Sequence, residues 1–146
     1  MKQVTRLGVY GIALEGNKIL LVSKGPNGCY RNKLDLPGGG IEFGESSEET
    51  LRREFLEETG RAFQTMHLVN NVSHVLEVLD LPSPYHFHHL GQLYFISGLD
   101  AIPSTPYEQH DWYDFQQLKP EQLTPFAEIV IKDLQKQLQI KNVFRN

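Results

Sequence analysis

Glu54, Glu57 and Glu58 stand at i, i+3 and i+4 in "LRREFLEETG". On a helix that advances about 100° per residue, this spacing gathers three carboxylates within an arc of roughly 100°. Like charges so placed destabilise an isolated helix by about 0.2–0.5 kcal/mol per pair, so the face is either a solvated acidic face or one that something compensates. Leu51 and Phe55 occupy the adjoining sector and would dock the helix on a core, which brings the carboxylates to the core's edge. Oxygen ligands on a rigid scaffold suit a hard divalent cation, Mg²⁺ or Mn²⁺, shared with substrate phosphates. The preceding "LPGGG" points the same way. Pro37 fixes one φ, and Gly38, Gly39 and Gly40 leave a backbone bare enough to approach a phosphate or metal. On their own, these glycines would read as a tight strand-to-helix connection.

The elements that must position these groups are legible from turn and cap signals. Ser46 and Glu49 form a capping box at the head of the glutamate helix, and Gly60 supplies its stop. Before it, "VTRLGVYGIAL" and "KILLVSK" read as strands joined by "EGN", a hairpin from Val4 to Lys24, with Gly8 and Gly11 marking either a bulge or a close approach. "KGPNGCYRNK" reads as a loop. After the helix, "AFQTMHLVNNVSHVLEVL" and "YHFHHLGQLYFISGL" read as two long strands joined by a turn from Asp80 to Pro84, and "EQHDWYDF" as a further short strand. Thr124-Pro125 opens a last helix whose apolar face is Phe126, Ile129, Val130, Leu134 and Leu138. Strands, helix, strands, helix predict an α/β (α+β) fold with a mixed sheet sandwiched between helices.

Bulk properties narrow the function classes. At 146 residues with 40% hydrophobic residues and no internal repeat or long linker, the chain reads as one domain over residues 1–146. A net charge of -4 disfavours partners held by broad phosphate neutralisation, so no DNA partner is expected and RNA is disfavoured. Cys29 is the only cysteine, which rules out an intrachain disulfide and suits a reducing compartment. No stretch approaches the roughly 20 apolar residues of a membrane span, and the N-terminal stretch lacks a secretory h-region, so a cytoplasmic location is expected. The sequence allows a homodimer without arguing for one.

Gly39, five residues, Glu45, seven residues, then Arg53-Glu54-Phe55-x-Glu57-Glu58-x-Gly60 resembles the Nudix box, the MutT-type signature of hydrolases acting on nucleoside diphosphates linked to another moiety. Seven residue types at these spacings arise by chance on the order of once in a million chains of this size, which gives the match family-level weight. The resemblance extends through "LDLPGGG" and into "EQHDWYDFQQL". It departs at Phe55, where an aliphatic residue is usual, at Arg61, where a second large aliphatic is usual, and at Leu34, where many members carry Trp. The resemblance implies a Nudix α-β-α sandwich and attack of water on a phosphoanhydride phosphorus of a small-molecule nucleotide. It casts Glu54, Glu57 and Glu58 as the metal-site carboxylates, with a main-chain carbonyl of Pro37 to Gly39 completing the coordination, and Arg53, which on a helix projects away from Glu54, as the arginine that orients carboxylates by a bidentate ion pair. Glu45 would hold the loop-to-helix junction or the outer metal shell. The general base falls to Glu54 or Glu57, ranked ahead of Glu108. Alternatives are a nucleotide-sensing domain that does not hydrolyse, and an RNA 5'-pyrophosphohydrolase.

Other candidates read more plainly. His86 and His88 share one strand face while His89 points to the other, and no Cys–His set accompanies them, so they are sheet-surface or substrate-edge residues rather than a zinc site. Trp112 reads as core or core edge, and Tyr10, Phe87 and Tyr94 as core aromatics within reach of a base-stacking role. Ala62 to Val78 holds neither the proline nor the tyrosine that tags ADP-ribose and dinucleoside polyphosphate subfamilies, and the small single-domain form resembles members of the family acting on nucleoside triphosphates or nucleotide sugars, which the resemblance implies as substrates.

Overall fold

In the strand Lys2–Ile12 (β1), Val9 enters one apolar cluster while Tyr10 and Ile12 enter another, on the opposite face. The strand Lys18–Ser23 (β3) repeats the alternation, with Leu20 in the first cluster and Ile19 and Leu21 in the second. Strands apolar on both faces need cover on both. The helix Ser47–Thr59 (α1) covers the first face, where Leu51 and Phe55 pack with Val9, Leu20, Phe63 and Ile96. The helix Pro125–Phe144 (α2) covers the second with Phe126, Ala127, Val130 and Ile131. Leu51 and Phe55 are fully buried, and each such side chain contributes about 1.5–3 kcal/mol. The result is the expected sheet between helices. This computed structural model describes residues 1–79, 82–101 and 109–144.

The remaining strands are Leu14–Glu15 (β2), Leu34–Asp35 (β4), Gly38–Gly40 (β5), Arg61–Ala62 (β6), Thr65–Val78 (β7), Tyr85–Ser97 (β8), Asp100–Ala101 (β9) and His110–Asp114 (β10). One sheet has the order β5-β1-β8-β7, with β1 and β8 parallel and the other pairs antiparallel. A second runs β10-β3-β2 with β4 also on β3, and β6 pairs with β9.

Several expectations are corrected. The hairpin from Val4 to Lys24 shrinks to Leu14–Glu15 against Lys18–Ile19. The chain leaves the first sheet at Ala13, and Lys2–Ile12 pairs instead with β8 along its whole length, a long ladder outweighing a local two-residue one. Ser46 does accept the Glu49 N–H, but its hydroxyl donates to the Glu49 carboxylate, so the reciprocal half of the capping box is not made through the backbone. Ile129 is 40% exposed, and Ala127 and Ile131 take the core positions instead. Gly8 and Gly11 mark no bulge. A Cβ on Gly8 would meet the Tyr10 ring, and one on Gly11 would meet Ile96 and Leu51. The expected Asp80–Pro84 turn lies partly outside the described residues. Phe63 and Arg52 supply the packing after α1 that Arg61 does not: Phe63 meets Phe55 edge-on, with the Arg52 guanidinium 4.5 Å above its ring.

Candidate active site

The glycine turn and α1 meet because β5 pairs with β1 and α1 lies over both. Pairing runs Gly8↔Gly40, Val9↔Gly39 and Tyr10↔Gly38, flanked by Gly11 N–H to Pro37 O at 2.8 Å and Ile41 N–H to Leu7 O at 3.0 Å. Antiparallel ladders alternate the residues that bond across them, so the N–H and C=O of Gly38 face away from β1. That N–H donates to Glu58 Oε1 at 2.7 Å. Gly38 has φ 147°, and a Cβ there would collide with the Val9 carbonyl. A Cβ on Gly39 would lie 2.6 Å from Glu54 Cδ, so this glycine admits the Glu54 carboxylate against the backbone. Gly40 differs: a Cβ there would meet nothing within 4 Å, so its glycine has no packing reason.

Arg53 organises the other side. Its Nε and Nη2 grip both oxygens of Glu45 at 2.8 and 2.9 Å, its Nη1 donates to Glu54 Oε1 at 2.9 Å, and Glu57 Oε2 lies 3.6 Å from Nη1. A bidentate guanidinium–carboxylate pair fixes direction as well as distance. Glu45 also accepts from Thr50 Oγ1 and from the Glu42 N–H, tying the loop to the first turn of α1. Hydrogen bonds from Arg53 hold the Glu45 carboxyl down to about 2.

The carboxylates differ in their surroundings. Glu58 is buried, and desolvation pushes its carboxyl up to about 8 despite Lys24 and the Gly38 N–H. Burial also raises Glu54, against the opposing pull of Arg53. Glu57 is 43% exposed. Lys24 acts on Glu54, Glu58 and Asp35 alike, and its Nζ lies 3.7 Å from Asp35 Oδ2. Sequence reasoning missed Lys24 because a lysine at a strand end carries no motif. Among the described residues, no three or more His, Cys, Asp or Glu side chains stand together in an arrangement that could by itself hold a metal ion.

Of the residues singled out from sequence, Arg53 gathers Glu45, Glu54 and Glu57, while Glu58, Gly38 and Gly39 form the adjoining wall. Glu108 lies outside the described residues. His86 and His88 are part-exposed and His89 is buried on the opposite face, as the alternation predicts. His86 pairs with Glu77 at 3.1 Å. Trp112 sits at the core edge. No helix among the described residues is long and apolar enough to cross a membrane.

The NUDIX domain family model matches residues 4–134. The chain is 38% identical over 96 residues to an ADP-ribose pyrophosphatase of Methanocaldococcus jannaschii, covering 66% of this chain and 51% of that protein. The match therefore spans about half the length of this relative. It is 27% identical over 129 residues to an oxidized purine nucleoside triphosphate hydrolase of Mus musculus, covering 86% of this chain and 72% of the relative. Its fold resembles the crystal structure of a MutT NUDIX hydrolase from Burkholderia pseudomallei, with a TM-score of 0.71 at 22% identity over 88% of this chain and 97% of that one. A glycine turn closed on a glutamate helix, within a sheet sandwiched by two helices and matched along nearly its whole length, places this chain in the Nudix family.

Proposed function

We propose that the chain is a divalent-metal-dependent hydrolase that cleaves a phosphoanhydride bond of a nucleoside di- or triphosphate derivative by attack of water at phosphorus. The observation that carries this reading is the pair of buried or half-buried carboxylates, Glu54 and Glu58, set against the bare Gly38–Gly39 backbone. Burying carboxylates without a full complement of cations is costly. A hard cation would relieve that cost, and the all-oxygen donors suit Mg²⁺ or Mn²⁺.

Glu54, Glu57 and Glu58 would hold the cation, with the outward carbonyl of Gly38 as the main-chain donor. When bound, the metal neutralises the diphosphate and makes water more acidic. Arg53 holds Glu54 Oε1, which leaves Oε2 as the atom to take the proton from the attacking water. Glu57, more exposed, is the second candidate base, followed by Glu108. As the new O–P bond forms, the bridging P–O bond breaks and the phosphate leaves. Lys24, whose charge acts on both Glu54 and Glu58, supplies positive charge for the departing or retained phosphate. Glu45 keeps Arg53 in place.

The relatives named above act, by their names, on ADP-ribose and on oxidized purine nucleoside triphosphates. Nucleoside triphosphates and nucleotide sugars remain our reading of the substrate class, with ADP-ribose as the competing substrate. The test is steady-state hydrolysis over a panel of these nucleotides, with and without Mg²⁺. Activity should require the metal and fall at least about 100-fold in Glu57→Gln and Glu58→Gln. Full activity in either variant, or without a divalent metal, would sink the proposal, and tight binding without turnover would mark a nucleotide sensor instead.

A further inference from the structure

A polar chain outside the glutamate site, part-buried at one end and buried at the other, runs from the loop after β3 to the glycine turn. Tyr30 Oη lies 2.8 Å from His89 Nδ1, and His89 Nε2 lies 2.8 Å from Tyr10 Oη. Phe87 stacks on the His89 ring with centroids 5.1 Å apart, and the Phe126 ring lies tilted against it at 4.3 Å. Desolvation holds the imidazole down to about 4. A neutral imidazole donates from one nitrogen and accepts at the other, so the two tyrosine hydroxyls take opposite roles.

One end of this chain meets the glycine turn and the other a loop that borders a cavity. Tyr10 pairs with Gly38, and a Cβ on Gly38 would lie 2.9 Å from Tyr10 Cδ1. The ring therefore backs the residue whose N–H holds Glu58. At the other end, the loop from Lys24 to Lys33 is closed at its neck by Lys24 N–H to Lys33 O and Asn32 N–H to Gly25 O, both 2.9 Å. Cys29, beside Tyr30, lines a cavity of about 420 Å³ with Lys2, Val4, Arg6, Tyr85 and Phe87. That volume is in the range of small-molecule sites.

We propose that Tyr30, His89 and Tyr10 act as linked positioning residues: Tyr30 pins the loop as a fixed wall of the cavity beside Cys29, which we take as part of the substrate cleft, and Tyr10, anchored by His89, holds the Gly38 turn and with it Glu58. The assignment rests on the hydrolytic reading of the glutamate site. None of the three touches the reacting atoms. Loss of the Tyr30 hydroxyl acts on binding, through the wall, and loss of the Tyr10 hydroxyl acts on turnover, through the turn.

Tyr30→Phe and Tyr10→Phe separate these effects while keeping both rings. Tyr30→Phe should raise KM about tenfold with kcat within about twofold, the worth of one buried hydrogen bond. It should also speed amide exchange across residues 25–32 by a similar factor. Tyr10→Phe should lower kcat about tenfold and leave KM and loop exchange near the parent values. In the parent protein His89 should show one imidazole tautomer in long-range proton–nitrogen spectra, and each variant should turn it into a mixture. Unchanged loop exchange in Tyr30→Phe, or kcat and KM moving alike in both variants, would overturn the proposal. Exchange and tautomer are read without turnover, so they decide it even if no nucleotide is hydrolysed, an outcome that removes the hydrolytic reading alone. Should Tyr10→Phe fail to fold, Tyr30→Phe still decides, since Tyr30 sits in a surface loop.

Discussion

Arg53 holds both oxygens of Glu45, eight residues before it, while the same guanidinium holds Glu54, the next residue along. One side chain thereby joins the loop ahead of α1 to the carboxylate face of α1. Arg53→Lys keeps the charge but loses the fork. We expect kcat to fall about 10- to 100-fold, the usual range for partners that orient site ligands. Arg53→Gln combined with Glu45→Gln should be no slower than Arg53→Gln alone, because the two side chains act as one unit. Steady-state kinetics on the cycle of variants measures this directly.

The three glycines should separate on substitution. Gly38→Ala meets both a positive φ and the Val9 carbonyl, so a loss of at least about 2 kcal/mol is expected. Gly40→Ala enters open space and should change stability by less than about 0.5 kcal/mol. Urea melts of the two variants give the comparison, and equal losses would contradict it.

His89 should make stability depend on pH. Its folded value is held down to about 4, while an unfolded histidine titrates near 6.5. Between those values the unfolded chain binds the extra proton, so stability rises with pH across that window. The contribution is complete above about pH 6.5 and is lost progressively as pH falls to about 4, amounting to at most about 3 kcal/mol. Unfolding at pH 7.5 and pH 4.5 should show a larger difference in the parent than in His89→Gln.

Asp35 is fully buried and accepts from Thr124 Oγ1 at 2.6 Å and from its neighbour Leu36 N–H at 2.8 Å. Thr124 N–H also donates to Leu34 O, so Thr124 stitches the start of α2 to β4 by two donated bonds. Thr124→Val keeps the volume but deprives a buried carboxyl of a donor. A loss of about 1–3 kcal/mol is expected, and Asp35→Asn in the same background should recover part of it. Thermal unfolding of the parent and these two variants tests the pairing.

What could be read from residues alone follows the range of the interactions involved. Ser46, Gly60 and the i, i+3, i+4 glutamates are local signals, and α1 with its caps lies where they put it. The fold class was legible from the order of strands, helix, strands and helix, and the two apolar faces on which Val9 and Leu20, and Tyr10 and Leu21, lie bear it out. Pairing was not. The turn at Glu15 to Asn17 suggested that the first strand folds back on β3, whereas its partners lie on β5 and β8. Site details that depend on tertiary placement were not legible: helix geometry turns Arg53 away from Glu54, yet the long guanidinium reaches back to Glu54 Oε1, and its grip on Glu45, the Gly38 contact to Glu58 and the influence of Lys24 carry no local signal. The Tyr30–His89–Tyr10 chain joins residues 59 and 79 apart, a separation that no spacing rule reaches.

The parallel register of β1 with β8, from Lys2↔Tyr85 to Ile12↔Phe95, sets an order of events during synthesis. Every residue of the glycine turn and of the glutamate helix is translated before β8 exists. Until Phe95 has emerged, β1 has no long partner, and the surface that backs Gly38 stays unfixed. A nascent chain halted after Gly60 would carry the whole signature and no working pocket. Non-local strand pairing of this kind is slow and leaves an apolar strand exposed while it waits, so the newborn chain should depend on holding factors for as long as translation of β7 and β8 takes.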